Sequence, residues 1–106
     1  MNSLEEIEQD LQKFGQKLRQ QGIPCDALYL FGSAARGEMH EWSDIDVGVV
    51  GNTFDTDRLQ ETVTLRRLSY DINPAISPIP LRPEDLQDRF SPISQAIKND
   101  GRQIKF

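Results

Sequence analysis

Two aspartates separated by a single residue, Asp44 and Asp46, are the side chains in this sequence whose spacing best suits chemistry. They open an apolar run, Ile45 to Val50, that is typical of a buried strand. Because strand side chains alternate between faces, residues 44 and 46 project to the same side. Two carboxylates so placed repel each other unless a cation lies between them, and Mg²⁺ binds one or two carboxylates together with substrate phosphates. The pair therefore predicts a magnesium site.

A glycine-serine turn, Gly32-Ser33, stands ten residues before Asp44 and directly after a second apolar run at 27–31. Gly32 lets the backbone approach a ligand closely. Ser33 and the amides after it can face an anion at the start of a short helix predicted at 34–36. Arg36 becomes favourable in that first turn if an anion binds nearby; the alternative is a surface ion pair with Glu38. The turn therefore predicts a phosphate site beside the metal.

A pair of solvated turn carboxylates or a calcium-binding loop would fit these aspartates less well. Asp46 lies inside an otherwise apolar strand, where an unpaired charge is expensive. A calcium-binding EF-hand loop would need a ligand, a glycine and a glutamate where this chain has Gly48, Val49 and Asp55. In the loop at 38–43, His40 is expected to be solvated, and Trp42 to cover the edge of the core rather than to stack on a base.

Size and charge narrow the class of protein. The 106 residues suit a single domain, 1–106, and 37% hydrophobic with 27% charged residues is ordinary for a globular protein. A net charge of −5 disfavours non-specific nucleic-acid binding. The single Cys25 excludes an internal disulfide, no apolar run approaches a membrane span, and the acidic start is wrong for a signal peptide. These features favour a cytoplasmic protein with no membrane contact.

The rest of the chain must position the two motifs. Ser3 and Glu6 form a capping box before an amphipathic helix that ends near Gly22 and whose period also permits a homo-oligomer contact. The later elements, in chain order, are a helix from Thr56-Asp57 to 69–71 bearing Leu59, Val63 and Leu68, an edge strand at 75–81 containing Pro78 and Pro80, two helices at 82–90 and 91–101, and a last strand near Ile104 and Phe106.

Gly32-Ser33, ten residues, then Asp44-Ile45-Asp46 resembles the signature of the DNA-polymerase-β-type nucleotidyltransferases. The fuller strings at 31–37 and 43–47 are similar to the minimal nucleotidyltransferase (MNT) branch. The resemblance implies an α/β (α+β) fold, a small mixed sheet flanked by helices. It also implies transfer of AMP from ATP to a hydroxyl acceptor, with one or two Mg²⁺ ions held by Asp44 and Asp46 and the triphosphate held by Gly32, Ser33 and Arg36.

Members of this family commonly carry a third carboxylate on a neighbouring strand. If the third strand is 68–72, Asp71 would fill that position; if it is 75–81, the matching residue is Ser77, which cannot act as a base. The prolines favour the second alignment. Without that carboxylate the chain could bind metal-nucleotide yet transfer slowly or not at all.

The resemblance also implies a partner, because the chain has no room for an acceptor-binding domain. MNT proteins are typically paired with a HEPN-domain protein as antitoxin and toxin, with AMP placed on the toxin. Two further hypotheses remain open: a catalytically weak relative that neutralises its partner by contact, and a stand-alone enzyme that modifies a small molecule or RNA. The sequence does not identify the acceptor, the base preference or the oligomeric state.

Overall fold

A computed structural model describes residues 3–38 and 44–106; the predictions for His40 and Trp42 fall outside these ranges. Within them the chain forms four strands, three α-helices and one 3₁₀ helix. The elements, in chain order, are α1 (Leu4–Gln20), β1 (Ala27–Phe31), β2 (Ile45–Val50), α2 (Arg58–Tyr70), β3 (Ile76–Leu81), a 3₁₀ helix (Pro83–Gln87), α3 (Pro92–Asp100) and β4 (Arg102–Ile104).

The strands form one mixed sheet in the order β3-β2-β1-β4. β1 pairs antiparallel with β2 and with β4, whereas β2 and β3 run parallel. The predicted small mixed sheet is therefore confirmed. β3 is an edge strand, as its two prolines predicted.

Helix α1 forms the core with one face of the sheet. The Ser3 side chain caps its start by accepting a hydrogen bond from the Glu6 amide at 3.1 Å. Its apolar residues recur at the predicted spacing; Leu4 is partly buried, and four others are fully buried: Ile7, Leu11, Phe14 and Leu18. They pack on the inward side chains of β2 and β1, which fixes the sheet against the helix.

Helix α2 begins after Asp57, whose side chain accepts from the Leu59 amide at 2.9 Å. Its inner side buries Leu65 with the α1 core and also Glu61, which is fully buried. Glu61 forms an ion pair with Arg82 and accepts a hydrogen bond from the Phe54 amide. This buried pair holds the segment before α2 against the end of β3.

The structure corrects three predictions. Residues 32–37 form consecutive turns ending at Gly37 (φ 73°) instead of a helix at 34–36. The helix predicted at 82–90 is a shorter 3₁₀ helix, Pro83–Gln87. The alternative third strand at 68–72 is wrong, because those residues finish α2 and the turn after it.

No helix among the described residues is long and apolar enough to span a membrane.

Candidate active site

The aspartate pair lies where β2 begins. Asp44 precedes the strand and is exposed, whereas Asp46 is half-buried and pairs in register with Phe31, the last residue of β1. Burial, and secondly the negative charge of Asp44, raise the pKa of Asp46. The two carboxylates therefore lie close enough to repel, and a cation between them would relieve this repulsion.

The glycine turn packs directly against Asp46. Gly32 has φ +74°, a conformation that side chains rarely adopt, and a Cβ at this position would lie 2.6 Å from Oδ2 of Asp46. Only glycine can bring the turn this close to the carboxylate. The structure therefore brings together the two halves of the predicted motif, with Ser33 following Gly32 in the same turn.

Backbone hydrogen bonds close the turn. The Arg36 amide donates to the Gly32 carbonyl at 3.3 Å, and the Glu38 amide donates to the Ser33 carbonyl at 2.9 Å. Ser33 is half-buried within these bonds. Mg²⁺ prefers oxygen ligands and binds one or two carboxylates together with phosphates. The two carboxylates beside this close-packed turn therefore fit a Mg²⁺ ion that is bound to a polyphosphate.

Arg36 forms two ion pairs at the end of this turn. Its Nε donates to Glu38 at 3.0 Å, and its Nη1 donates to Asp100 of α3 at 3.2 Å. Hydrogen bonds to these carboxylates, Glu38 foremost, raise the pKa of Arg36. The sequence allowed either phosphate binding or the pair with Glu38 for this residue, and phosphate binding would require Arg36 to leave or share these partners.

The position beside Asp46 on β3 is Ser77, because the two residues pair in register in the parallel ladder. Asp71 lies at the end of α2, where its exposed carboxylate is 3.8 Å from Nζ of Lys17. Among the described residues, no group of three histidine, cysteine, aspartate or glutamate side chains could hold a metal ion. Asp71 is therefore not brought together with Asp44 and Asp46.

A positively charged side chain, Arg66, contacts Ser77. The Nη2 atom of Arg66, an exposed residue of α2, donates to Ser77 Oγ at 3.3 Å. Sequence reasoning did not assign Arg66 to the site, because nothing in the spacing of α2 distinguishes it from the adjacent Arg67. Only the register of β3 against β2 reveals that it reaches the strand position next to Asp46.

Comparison with known proteins decides the family. Residues 4–101 match the family model of the nucleotidyltransferase domain. The chain belongs to the nucleotidyltransferase domain family. The family indicated by Gly32-Ser33 and the aspartate pair is thus confirmed.

A Methanocaldococcus jannaschii protein, named as a candidate protein adenylyltransferase, is 37% identical over 83 residues, which are 72% of this chain and 55% of that protein. The chain thus spans about half the length of this relative.

Solved structures share the fold. A toxin-antitoxin crystal structure with AMP-PNP has 24% identity, a TM-score of 0.66, and coverage of 92% of this chain and 72% of that one. A mutant of the toxin-antitoxin MntA-HpeT has 22% identity, a TM-score of 0.64, and coverage of 88% and 70%. A candidate nucleotidyltransferase from Sulfolobus solfataricus has 18% identity, a TM-score of 0.59, and coverage of 94% and 77%. At these identities the likeness concerns the fold.

Proposed function

We propose that the chain transfers AMP from ATP to a hydroxyl group of a partner protein in a Mg²⁺-dependent reaction. The observation that carries this proposal is the packing of Gly32 against Oδ2 of Asp46, because a phosphate held by the glycine turn would then lie close to that carboxylate. Membership of the nucleotidyltransferase domain family and similarity to a candidate protein adenylyltransferase support it.

The residues have distinct roles in this reaction. Asp44 and Asp46 would hold Mg²⁺, which neutralises charge on the phosphate oxygens as it develops. Gly32 brings the backbone of the turn to the polyphosphate, and Ser33 offers a hydroxyl to its terminal phosphates. The acceptor oxygen forms a bond to the α-phosphorus while the bond from that phosphorus to the bridging oxygen breaks, so that pyrophosphate leaves. Because the residue beside Asp46 on β3 is Ser77, which cannot act as a base, the proton of the acceptor hydroxyl passes to solvent.

The partner we propose is a HEPN-domain toxin, for which this chain is the antitoxin in the cytoplasm. The fold it shares with toxin-antitoxin structures supports this assignment. Three large apolar side chains on the outer side of α2 also support a protein partner: Leu59, Val63 and Tyr70 are 67%, 49% and 65% exposed. Spacings of four and seven residues place them on one helix face.

The test is transfer of label from α-labelled ATP to the purified partner with Mg²⁺. We expect label on the partner with the wild-type chain, and at least a hundredfold less with Asp44→Asn or Asp46→Asn. The matched control is Asp71→Asn, the same chemical change at an exposed position outside the pair, which should transfer like wild type. Equal transfer by all three variants would refute the proposed site.

A second function, neutralisation of the partner by contact alone, is favoured by Ser77 at the position where a base would be expected. It predicts that Asp44→Asn and Asp46→Asn still neutralise the partner, measured as growth of cells that express both proteins. Loss of neutralisation in these variants, with partner binding retained, favours the transferase.

A further inference from the structure

Arg66 and Ser77 form a contact that the nucleotidyltransferase motif does not explain. Ser77 and Asp46 are in-register partners of a parallel ladder, so their side chains lie on the same face of the sheet. Neighbouring strands lie roughly 4.8 Å apart. The guanidinium that donates to Ser77 Oγ at 3.3 Å is therefore bound at the position on β3 that pairs with Asp46, one strand away from that carboxylate.

Arg66 contacts the face of the sheet opposite to the one on which the preceding residue of its helix packs. The preceding residue, Leu65, is buried with Ile45, Val47 and Ile76 on the other face of the sheet. The Arg66 guanidinium contacts Ser77 of the edge strand β3, on the face that carries Asp46. Its hydrogen bond to Ser77 thus holds a positive charge at the residue of β3 that pairs with Asp46, near the start of β2.

A positive charge beside Ser77 would favour the binding of a polyphosphate at the aspartate pair. The position beside Asp46 on β3 is a neutral serine, so a polyphosphate bound at the aspartate pair would meet no charged side chain of β3 there. A guanidinium is permanently charged and its planar fork matches phosphate oxygens. Arg66 forms no carboxylate ion pair within residues 3–38 and 44–106. Four other arginines in these ranges do form such pairs: Arg36, Arg58, Arg82 and Arg102.

We infer that Arg66 binds a phosphate group of the nucleotide, so that the polyphosphate lies between the Gly32 turn on one side and the Arg66 guanidinium on the other. Ser77 is the positioning residue that orients this guanidinium. The inference rests on the proposed function, because it requires a nucleotide at the aspartate pair, and it adds a binding group from α2.

The experiment measures the affinity of the purified chain for a non-hydrolysable ATP analogue by calorimetry, with Mg²⁺ and again with EDTA. Arg66→Ala should weaken binding at least tenfold in both conditions, since a charge-assisted hydrogen bond is lost whether or not the metal is present. Arg66→Lys should recover part of the loss. Ser77→Ala should weaken binding by a smaller factor, about two- to threefold, because Arg66 keeps its charge and loses only the hydrogen bond that orients it.

Two comparisons separate a phosphate contact from a structural effect. Arg67→Ala makes the same change of charge at the next residue of α2, also exposed, and should bind the analogue within about twofold of wild type. Adenosine, which has no phosphate, should bind wild type and Arg66→Ala equally. Melting curves of each variant confirm that it is folded, and the uncharged Arg66→Gln provides the result if Arg66→Ala is not folded.

The inference is overturned if Arg66→Ala, or Arg66→Gln where that variant is the folded one, binds the analogue like wild type while Asp46→Asn does not; the proposed function then stands without it. It is also overturned if Arg66→Ala loses only partner binding, which would assign Arg66 to the outer side of α2 with Val63 and Tyr70. Failure of the wild-type chain itself to bind the analogue would refute the proposed function and the inference together.

Discussion

The two faces of β2 differ sharply. On one, which we call the α1 face, Ile45, Val47 and Val49 are at most 3% exposed and pack into the core with α1. On the other, which we call the site face, the alternate positions are Asp46 and Gly48, followed by the apolar Val50. One face of this strand is thus uniformly apolar, and the other carries a charge and a residue without a side chain.

The two faces of β2 have different roles: the α1 face stabilises the fold, and the site face carries the candidate functional residue Asp46. Helix α1 covers the α1 face along its length, whereas α3 covers the site face only near Gly48 and Val50, where Ile97 packs. Asp46 lies beyond this cover, beside Gly32. The strand can therefore hold a partly desolvated carboxylate, because the α1 face supplies the packing that offsets its cost.

The largest effect on stability is expected on the α1 face. Ile45→Ala removes a fully buried side chain and should lower the free energy of unfolding by about 2–5 kcal/mol. Ile45→Val is the matched control, with an expected loss of about 0.5–1.5 kcal/mol. Urea titrations followed by circular dichroism measure both. A loss under about 1 kcal/mol for Ile45→Ala would contradict the assignment of stability to this face.

An intermediate effect is expected where α3 covers the site face. A Cβ at Gly48 would lie 2.9 Å from Cδ1 of Leu81 and 3.3 Å from Cδ1 of Ile97. Gly48→Val should destabilise the fold by about 1–3 kcal/mol through overpacking. Gly48→Ala should cost less, because both contacts are with the ends of side chains that can rotate. Equal unfolding midpoints for Gly48→Val and wild type would show that α3 packs loosely here.

Asp46 should show a small effect of opposite sign. Because its pKa is raised in the fold, the protonated form favours folding, and this contribution is lost as the pH rises through that pKa. Asp46→Asn should therefore raise the melting temperature of the metal-free protein at neutral pH. The difference should shrink as the pH falls through the ordinary range of aspartate, where wild type is also uncharged.

Melting temperatures measured across this pH range with EDTA test the expectation, and Asp71→Asn is the control at an exposed carboxylate. Mg²⁺ should then raise the melting temperature of wild type and leave that of Asp46→Asn unchanged, because only the intact pair retains the metal. A lower melting temperature for Asp46→Asn at neutral pH would mean that the charge is compensated within the apoprotein.

The smallest effect on stability is expected on the outer side of α2. Like β2, this helix has two faces that can be compared; its inner face is buried and its outer face is exposed. Val63→Ser should change the free energy of unfolding by no more than about 0.5 kcal/mol, because the side chain is exposed. It should nevertheless weaken binding of the proposed partner, measured by calorimetry. Leu65→Ser is the buried control on the same helix and should destabilise strongly. Unchanged partner affinity in Val63→Ser would exclude this side of α2 as the contact.

The sequence was sufficient for elements whose pattern is local. The run at 27–31, the run at 45–50 and the helix behind Ser3 were predicted because alternation, apolar spacing and capping are each read within a few residues. Residues 34–36 do not form a helix because the turn bonds that begin at Gly32 end at Glu38, just after the left-handed Gly37. A segment that short has too few hydrogen bonds to offset the cost of helix nucleation.

Only the part of the candidate site that depends on a local pattern could be predicted from the sequence. The closeness of Gly32 to Asp46 follows from a signature within 15 residues, whereas the neighbour on β3 depends on a parallel register set by α2. Ser77 could be proposed for this position from the prolines of β3, but the arginine that reaches it comes from a helix that packs on the opposite face. Likewise, burial of the charged Glu61 on α2 depends on Arg82, which is distant in sequence.

The outer edge of β3 has a consequence for assembly. The carbonyls of Ala75 and Leu81 accept bonds from the amides of Ile45, in β2, and Gly51, just after it, so the alternate residues direct their nitrogens away from the sheet. Two of these, Pro78 and Pro80, carry no hydrogen, and the flanking amides of residues 76 and 82 already donate to Asn73 and Asp85. A foreign strand, or a second copy of this one, therefore meets acceptors without donors, which protects the molecule from sheet extension and fibre growth at this border.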